Sequence, residues 1–240
     1  MPEACPKCGH KNIIKHGFIL QKQRYKCKSC NYQFTTTNRE RGKPKWMKVM
    51  TILLYVSGLS MNAIAQLFNV SAQAVLNWVR DYAKTHCEKP EPGSAVIVEL
   101  DEFWHFIESK KKLWIWKAYD RNRDRLIDWE LGGRDRQTLR KLLDRLAQWQ
   151  VTVYCTDHWE AYASELEEHP EAHHVETKTE TRNIERNNSD HRHWFARFRR
   201  QSKVVSKSKE MVELTMALFA KFRVNGTINS MRDSMLALLT

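Results

Sequence analysis

Apolar residues recur along the chain at one period over residues 44–89 and at another thereafter. In residues 44–89, Val49, Ile52, Leu53 and Val56 repeat at helical spacing and stop at Ser57-Gly58, after which Ala63, Ile64 and Leu67 start a short second helix. Asn69-Val70-Ser71 reads as a turn with Ser71 as N-cap, and the helix that follows carries Val75, Trp78 and Val79 inward. Helix, tight turn, helix is the helix-turn-helix order, and the last helix would present Ala72, Gln73, Asn77 and Arg80 to a DNA major groove. A plain three-helix packing module fits the same spacing.

Beyond Ser94 the period shortens to that of strands. Residues 95–100 (AVIVEL) form a β-branched run ending at Asp101-Glu102, residues 105–107 and 113–119 (LWIWKAY) predict a hairpin, and residues 125–131 a third strand before Gly132-Gly133. Residues 138–149 are amphipathic, with Leu139, Leu142, Leu143 and Leu146 on one face, and residues 151–156 give another apolar strand ending in Asp157. Three antiparallel strands, a helix, a strand and then helices is the order of an RNase H-like α/β domain. Further on, Ile184, His191, Phe195 and Phe198 share a helical stripe expected to pack on that sheet.

Residues 1–43 precede both patterns. Cys5-Pro-Lys-Cys8-Gly9 and Cys27-Lys-Ser-Cys30-Asn31 stand eighteen residues apart, and between them Ile13, Ile14, the Gly17 break and the alternation over residues 23–27 predict a hairpin joining two knuckles. Each CxxC can wrap one turn about a metal, with Gly9 and Asn31 where left-handed backbone is needed. Cys5, Cys8, Cys27 and Cys30 are therefore expected to hold a structural Zn²⁺ in a zinc ribbon. So little core surrounds them that metal binding, on the order of 10 to 16 kcal/mol, would be most of the folding energy. His10 and His16 stay at the surface, because four thiolates already complete a tetrahedron.

Composition adds a partner to this picture. With 42% hydrophobic residues and nine Trp in 240 positions the chain is not disordered, and 40 Lys and Arg against 28 Asp and Glu leave a charge of +12, which suits a nucleic acid. The charge is uneven: residues 1–48 hold twelve Lys or Arg against Glu3 and Glu40, residues 156–180 hold eight acids against Lys178, and residues 182–209 turn basic again. No run approaches the roughly 18 apolar residues of a membrane span, and the N-terminus lacks the apolar stretch of a secretory signal, so a cytoplasmic, nucleoid-associated protein is expected. There, paired cysteines read as metal ligands rather than disulfides. Residues 88–94 (EKPEPGS) cannot continue a helix and suit a linker. The expected domains are 1–43, 44–89 and 90–240.

Two acids stand where strands are predicted to end. Asp101 closes the first and Asp157 the fourth, and in an RNase H-like sheet those strands are neighbours. Carboxylates about 4 Å apart repel by roughly 4 kcal/mol at an effective dielectric of about 20 unless a cation lies between them. Mg²⁺ (or Mn²⁺) is such a cation, and it also binds substrate phosphates. Glu185, in NIERNN, is placed to bring a third carboxylate from a later helix; Glu102 turns away from Asp101, and Glu176 and Glu180 lie in a Thr-alternating stretch that leads away. Arg186, Arg192, Arg197, Arg199 and Arg200 follow Glu185 on a basic helix suited to a DNA backbone. An Asp at a strand end is also an ordinary turn residue.

The wording of these segments goes further. LDEFW followed by LWIWKAY, then CTDHWEAY, then NIERNN before an Arg-rich helix resemble the transposases of the insertion sequence 1 family, as do the N-terminal CxxC pairs and GLSMNAIAQLFNVSAQAVLNWV. The resemblance implies a DDE transposase whose metal-binding acids are Asp101, Asp157 and Glu185. It departs from the family in the 27 residues between Asp157 and Glu185, a few more than usual, and in the Ser189–Trp194 wording after NIERNN, residues 189–194. The implied activity is binding of the element's terminal inverted repeats, Mg²⁺-dependent DNA cleavage and strand transfer into target DNA, by at least a homodimer on DNA. The reading from another class is a DNA-binding regulator whose C-terminal domain serves assembly alone.

Overall fold

Short antiparallel strands build the N-terminal unit, β1 (Ile13–Ile19), β2 (Lys22–Cys27) and β3 (Gln33–Thr35), in that order across the sheet. Leu20 and Gln21, at φ 47° and 62°, close the β1–β2 hairpin, and Gly17, at φ +71°, lies in the register shift between Lys15 and Phe18. Ile13, Tyr25, Cys5 and Cys27 are buried there, which is hardly a core. The computed structural model describes residues 2–36, 42–108, 111–199, 205–226, 232–233 and 237, and its packing separates Met1–Pro44 from Lys45–Thr240.

In the second unit, α1 (Lys45–Val56), α2 (Met61–Phe68) and α3 (Ala72–His86) form the expected helix-turn-helix. Ser60 and Ser71 cap α2 and α3, accepting from the Ala63 and Ala74 N–H at 3.2 and 3.1 Å, and Asn69 turns the chain in a left-handed conformation at φ 49°. Val75 and Val79 point inward as expected. Trp78 does not: it is half-buried outside the core, while Ala83 takes the next inward position one turn after Val79.

The sheet follows, with β4 (Ile97–Ile107), β5 (Lys111–Asp120), β6 (Arg125–Gly132), β7 (Val153–Thr156) and β8 (His173–Glu176) in spatial order β6-β5-β4-β7-β8. The first three pair antiparallel and β7 and β8 join them in parallel, the RNase H-like arrangement. Two expectations are corrected. The first strand does not stop at Asp101-Glu102; β4 runs through them to Ile107, because the two acids project to opposite faces and the pairing with β5 is unbroken. A fifth strand, β8, was absent from the expected order, since its four mostly exposed residues at the sheet edge show no apolar alternation.

Helices cover both faces. On one, α4 (Arg136–Leu146) and α5 (Glu160–Leu166) pack Leu139, Leu142, Leu143, Leu146 and Tyr162 against Leu100, Trp116 and Ile127. On the other lie α6 (Arg182–Trp194) and α7 (Lys209–Phe219), and here the helix-turn-helix shares the core: Ile52, Ile64, Val75 and Val79 cluster with Ile115, Leu126 and Trp129 of the sheet and with Val212, Met216 and Phe219 of α7. The break expected at residues 89–90 is therefore a change of element rather than of core. Lys89 is pinned to Asp128 Oδ1 at 2.8 Å and the Trp129 carbonyl at 2.5 Å, and the Tyr55 hydroxyl meets Thr215 Oγ1 at 2.9 Å. Arg223 Nε donates to the Val56 carbonyl at 2.8 Å. Gly58, at φ +100°, ends this latch: a Cβ there would lie 2.9 Å from the Arg199 guanidinium and 3.3 Å from the Trp194 carbonyl oxygen.

Among the described residues no helix is long and apolar enough to cross a membrane.

Candidate active site and metal centre

Asp101 stands in mid-strand on β4, two residues beyond the last pair that β4 makes with β7, Glu99 opposite Cys155. Strand β7 ends at Thr156, so Asp157 leaves the sheet at its C-terminal edge beside Asp101. Both Asp101 oxygens are held, Oδ1 by the Glu102 N–H at 2.9 Å and Oδ2 by Asn188 Nδ2 at 2.6 Å, and Asp157 Oδ1 accepts from the Trp159 N–H at 3.1 Å. Burial, aided by the charges of Glu102 and Asp157, pushes the Asp101 carboxyl up to about 7, against the opposing pull of the Glu102 N–H and of Lys117. A buried acid that resists ionisation next to a second acid is a donor set suited to a hard divalent cation, which favours oxygen ligands and lowers the cost of both charges.

Glu185 lies exposed in the first turn of α6, one turn before Asn188. Residues three apart are neighbours on a helix surface, so the flank of α6 that meets Asp101 is also the one that bears Glu185. The start of α6 is fixed by Glu99, fully buried on the same face of β4, which accepts from Asn183 Nδ2 at 2.7 Å, the Ile184 N–H at 2.9 Å and Arg121 Nε at 2.7 Å. Arg121 Nη1 also binds Glu180 Oε2 at 2.6 Å, and Glu176 pairs with His158 Nδ1 at 3.0 Å, so each of these two glutamates already has a partner. Glu102 lies on the opposite face, held by Arg134 at 2.8 Å and the Tyr162 hydroxyl at 2.7 Å.

The expected metal ligands of the first unit do converge. Cys5, Cys8, Cys27 and Cys30 bring their sulfurs within 4.8 Å of one another, the only such group among the described residues; Asp101, Asp157 and Glu185 are not drawn together to that spacing. Gly9 and Asn31, at φ 73° and 57°, turn the chain after each pair, and the Cys5 and Cys27 N–H groups donate to the carbonyls of His10 and Tyr32 at 2.9 Å. The Cys30 and Ser29 N–H groups lower the Cys27 thiol despite burial, while the neighbouring thiols push Cys8 up, so the cluster without a cation does not keep all four thiolates at once. Four thiols this close together are the donor set that Zn²⁺ takes.

A family model described as IS1 transposase matches residues 94–224, more than half of the chain. The chain belongs to the IS1 transposase family. This IS1-family transposase is 38% identical over 123 residues to the insertion element IS1 2 protein InsB of Escherichia coli (strain K12), across 50% of its own length and 72% of that protein. It is 37% identical over 124 residues to the IS1 9 protein InsB of the same organism, with the same coverage. Among solved structures, the catalytic core domain of BIV integrase aligns with 61% of this chain and 100% of its own, at TM-score 0.37 and 11% identity. The catalytic domain of Mos1 mariner transposase aligns with 83% and 91%, at TM-score 0.38 and 13% identity.

The transposase distributes its expected DNA-facing residues unequally. Gln73 and Asn77 are exposed near the start of α3 and bond to each other at 2.9 Å. Arg80 instead faces Glu210 of α7 at 3.6 Å, because the C-terminal half of α3 packs on α7. The basic helix expected to reach Arg200 ends at Trp194, where Phe195 turns extended. That break removes the helical phase linking Arg192 to the later arginines. Arg197 bonds Ser206 Oγ at 2.7 Å and the Tyr55 hydroxyl at 3.3 Å, and Arg199 the Gly58 carbonyl at 3.2 Å, so both serve the fold. Arg186 is exposed, 3.4 Å from Asp124; Arg192 is half-buried over the Phe103 ring; Arg200 lies outside the described residues. The stripe of Ile184, His191, Phe195 and Phe198 is buried as expected.

Sequence reasoning overlooked Glu99, Lys117, Asn187 and Asn188. A signal for the first two was present: Glu99 interrupts the apolar run AVIVEL, and Lys117 falls in phase with Leu113, Ile115 and Tyr119, all buried.

Proposed function

We propose that this IS1-family transposase binds the terminal inverted repeats of its element, cuts the DNA there and joins the freed 3′ hydroxyls to target DNA at a carboxylate centre of Asp101, Asp157 and Glu185. The observation that carries the reading is that Asp157 follows β7 at the open end of the parallel β4–β7 pair, near enough for its charge to raise the Asp101 carboxyl, with α6 fastened to Asp101 through Asn188. A bound Mg²⁺ or Mn²⁺ would activate the attacking oxygen and stabilise the leaving one. The protein's part would be to bring Glu185 from the start of α6 to the two aspartates, with Glu99 fixing that start and Arg186 and Arg192 following Glu185 toward the DNA backbone. Gln73 and Asn77 of α3 would read the element end, and the Zn²⁺-bound ribbon, rich in Lys and Arg, would add backbone contacts. Two ends must be brought together, so a homodimer or larger assembly on DNA is part of the proposal.

The test is incubation of the protein with Mn²⁺ and a duplex ending in its element's terminus. Nicked and joined products are expected from the parent and not from Asp101→Asn or Asp157→Asn, both still binding the duplex. Specific binding with no cleavage by the parent would favour the regulator reading instead.

A further inference from the structure

Lys117 is a fully buried lysine on β5, directly opposite Asp101 in the β4–β5 register. Its ammonium donates to the amide oxygens of two consecutive residues of α6, Asn187 and Asn188, the latter at 2.9 Å, and lies over the Phe103 and Phe219 rings. The charged neighbours that act on it are Asp101, Arg192 and Asp190, while His191, also fully buried, packs among Phe103, Phe195, Phe198 and Phe219. Burial among aromatic rings disfavours the charged form of Lys117 and pushes its amine down to about 7, a penalty that a Met of similar length would not carry. The geometry gives the lysine a task that Met cannot perform. An amide has one oxygen and one NH₂. Because Lys117 takes the Asn188 oxygen, the Asn188 NH₂ is forced to face the other way, and it meets Asp101 Oδ2 at 2.6 Å.

We propose that Lys117 is a positioning residue of the carboxylate centre: it fixes the orientation of the Asn188 amide, which in turn fixes the Asp101 carboxylate for a divalent ion. Asn188 lies one turn from Glu185, so the same clamp sets the depth at which α6 brings that acid to the sheet. The inference rests on the proposed carboxylate centre, and the experiment separates the two. All nine Trp lie in Lys45–Thr240, so Trp fluorescence follows the melting of that unit alone. The measurement is the Mn²⁺ concentration that gives half of the metal-induced rise in melting temperature, on the full chain with zinc retained. Removing a group that orients a metal ligand typically weakens metal binding by about 10- to 100-fold.

Lys117→Met and Asn188→Leu are each expected to raise the half-saturating Mn²⁺ by about tenfold or more, and the double variant no further than the worse single one. Lys117→Gln keeps an N–H for the Asn188 oxygen and is expected to recover most of the parental value. A half-saturation within about twofold of parental in Asn188→Leu overturns the relay, even if Lys117→Met does not fold. So do independent, multiplying losses in the double variant, or equal losses in Lys117→Met and Lys117→Gln. If Asp101→Asn leaves the Mn²⁺ response intact, the carboxylate centre itself is misplaced.

Discussion

Asp101 ties the chemistry of the site to the stability of the fold. Its carboxyl is raised to about 7 in the folded chain from an ordinary value of 3.8, so the folded state holds this proton more tightly than the unfolded one. The resulting stabilisation is complete below pH 4 and is lost as pH rises through about 7. With divalent ions chelated, the Trp-detected melting temperature should fall between pH 4 and 7 more steeply in the parent than in Asp101→Asn, and Mn²⁺ at pH 7 should restore it. Parallel slopes in the two proteins would remove Asp101 from this account. That Asp101 and Asp157 come near each other was legible in the sequence, from where apolar runs gave way to carboxylates. Lys117 and Asn188 were not, because what they do depends on the register of β4 against β5 and on which turn of α6 meets the sheet. Those relations are absent from any local pattern.

At the scale of elements, α6 is where the reading of the sequence was half right. Its apolar stripe identified the packing face, but the helix stops at Trp194 and Arg197 and Arg199 turn back to Tyr55, Gly58 and Ser206. Nothing local marks that stop; it comes from the docking of the following segment against β4, where Ser206 bridges Ile107 and bonds His105 at 2.8 Å. Strand β8 went unread for the opposite reason, being polar and held only by its neighbour. The glutamates that precede and begin α6 provide the test of which of them serves the reaction. Glu185→Gln is expected to lose at least about a hundredfold in end cleavage, in keeping with removal of one directly stabilising group. Glu176→Gln and Glu180→Gln should stay near parental, their partners being His158 and Arg121. A dead Glu180→Gln beside an active Glu185→Gln would move the site to the turn before α6.

For the whole molecule, the division at Pro44 separates two sources of cohesion. Met1–Pro44 has a cluster of four cysteine sulfurs and hardly any apolar core, whereas Lys45–Thr240 has a shared apolar core. A zinc chelator is expected to abolish the chemical-shift dispersion of residues 2–36 while leaving the Trp-detected melting transition in place, and one zinc per chain should be lost with it. Simultaneous collapse of both signals would mean that the ribbon stabilises the rest of the chain. The three-part plan of ribbon, helices and sheet could be read from spacing alone. That the helices and the sheet share one core could not, because Tyr55, Arg223 and Lys89 find their partners across more than a hundred residues or from positions with no apolar signal.

That shared core makes α3 and Asp101 parts of one rigid gauge. If α3 reads the element end, the distance from the bases read to the bond cut is set by the protein and cannot stretch to suit the DNA. Moving the recognised bases by five base pairs, about half a helical turn, should turn them to the far side of the duplex and suppress cleavage. Moving them by ten restores the face but not the reach, so cutting should then follow the recognised bases to a new position rather than stay at the old end.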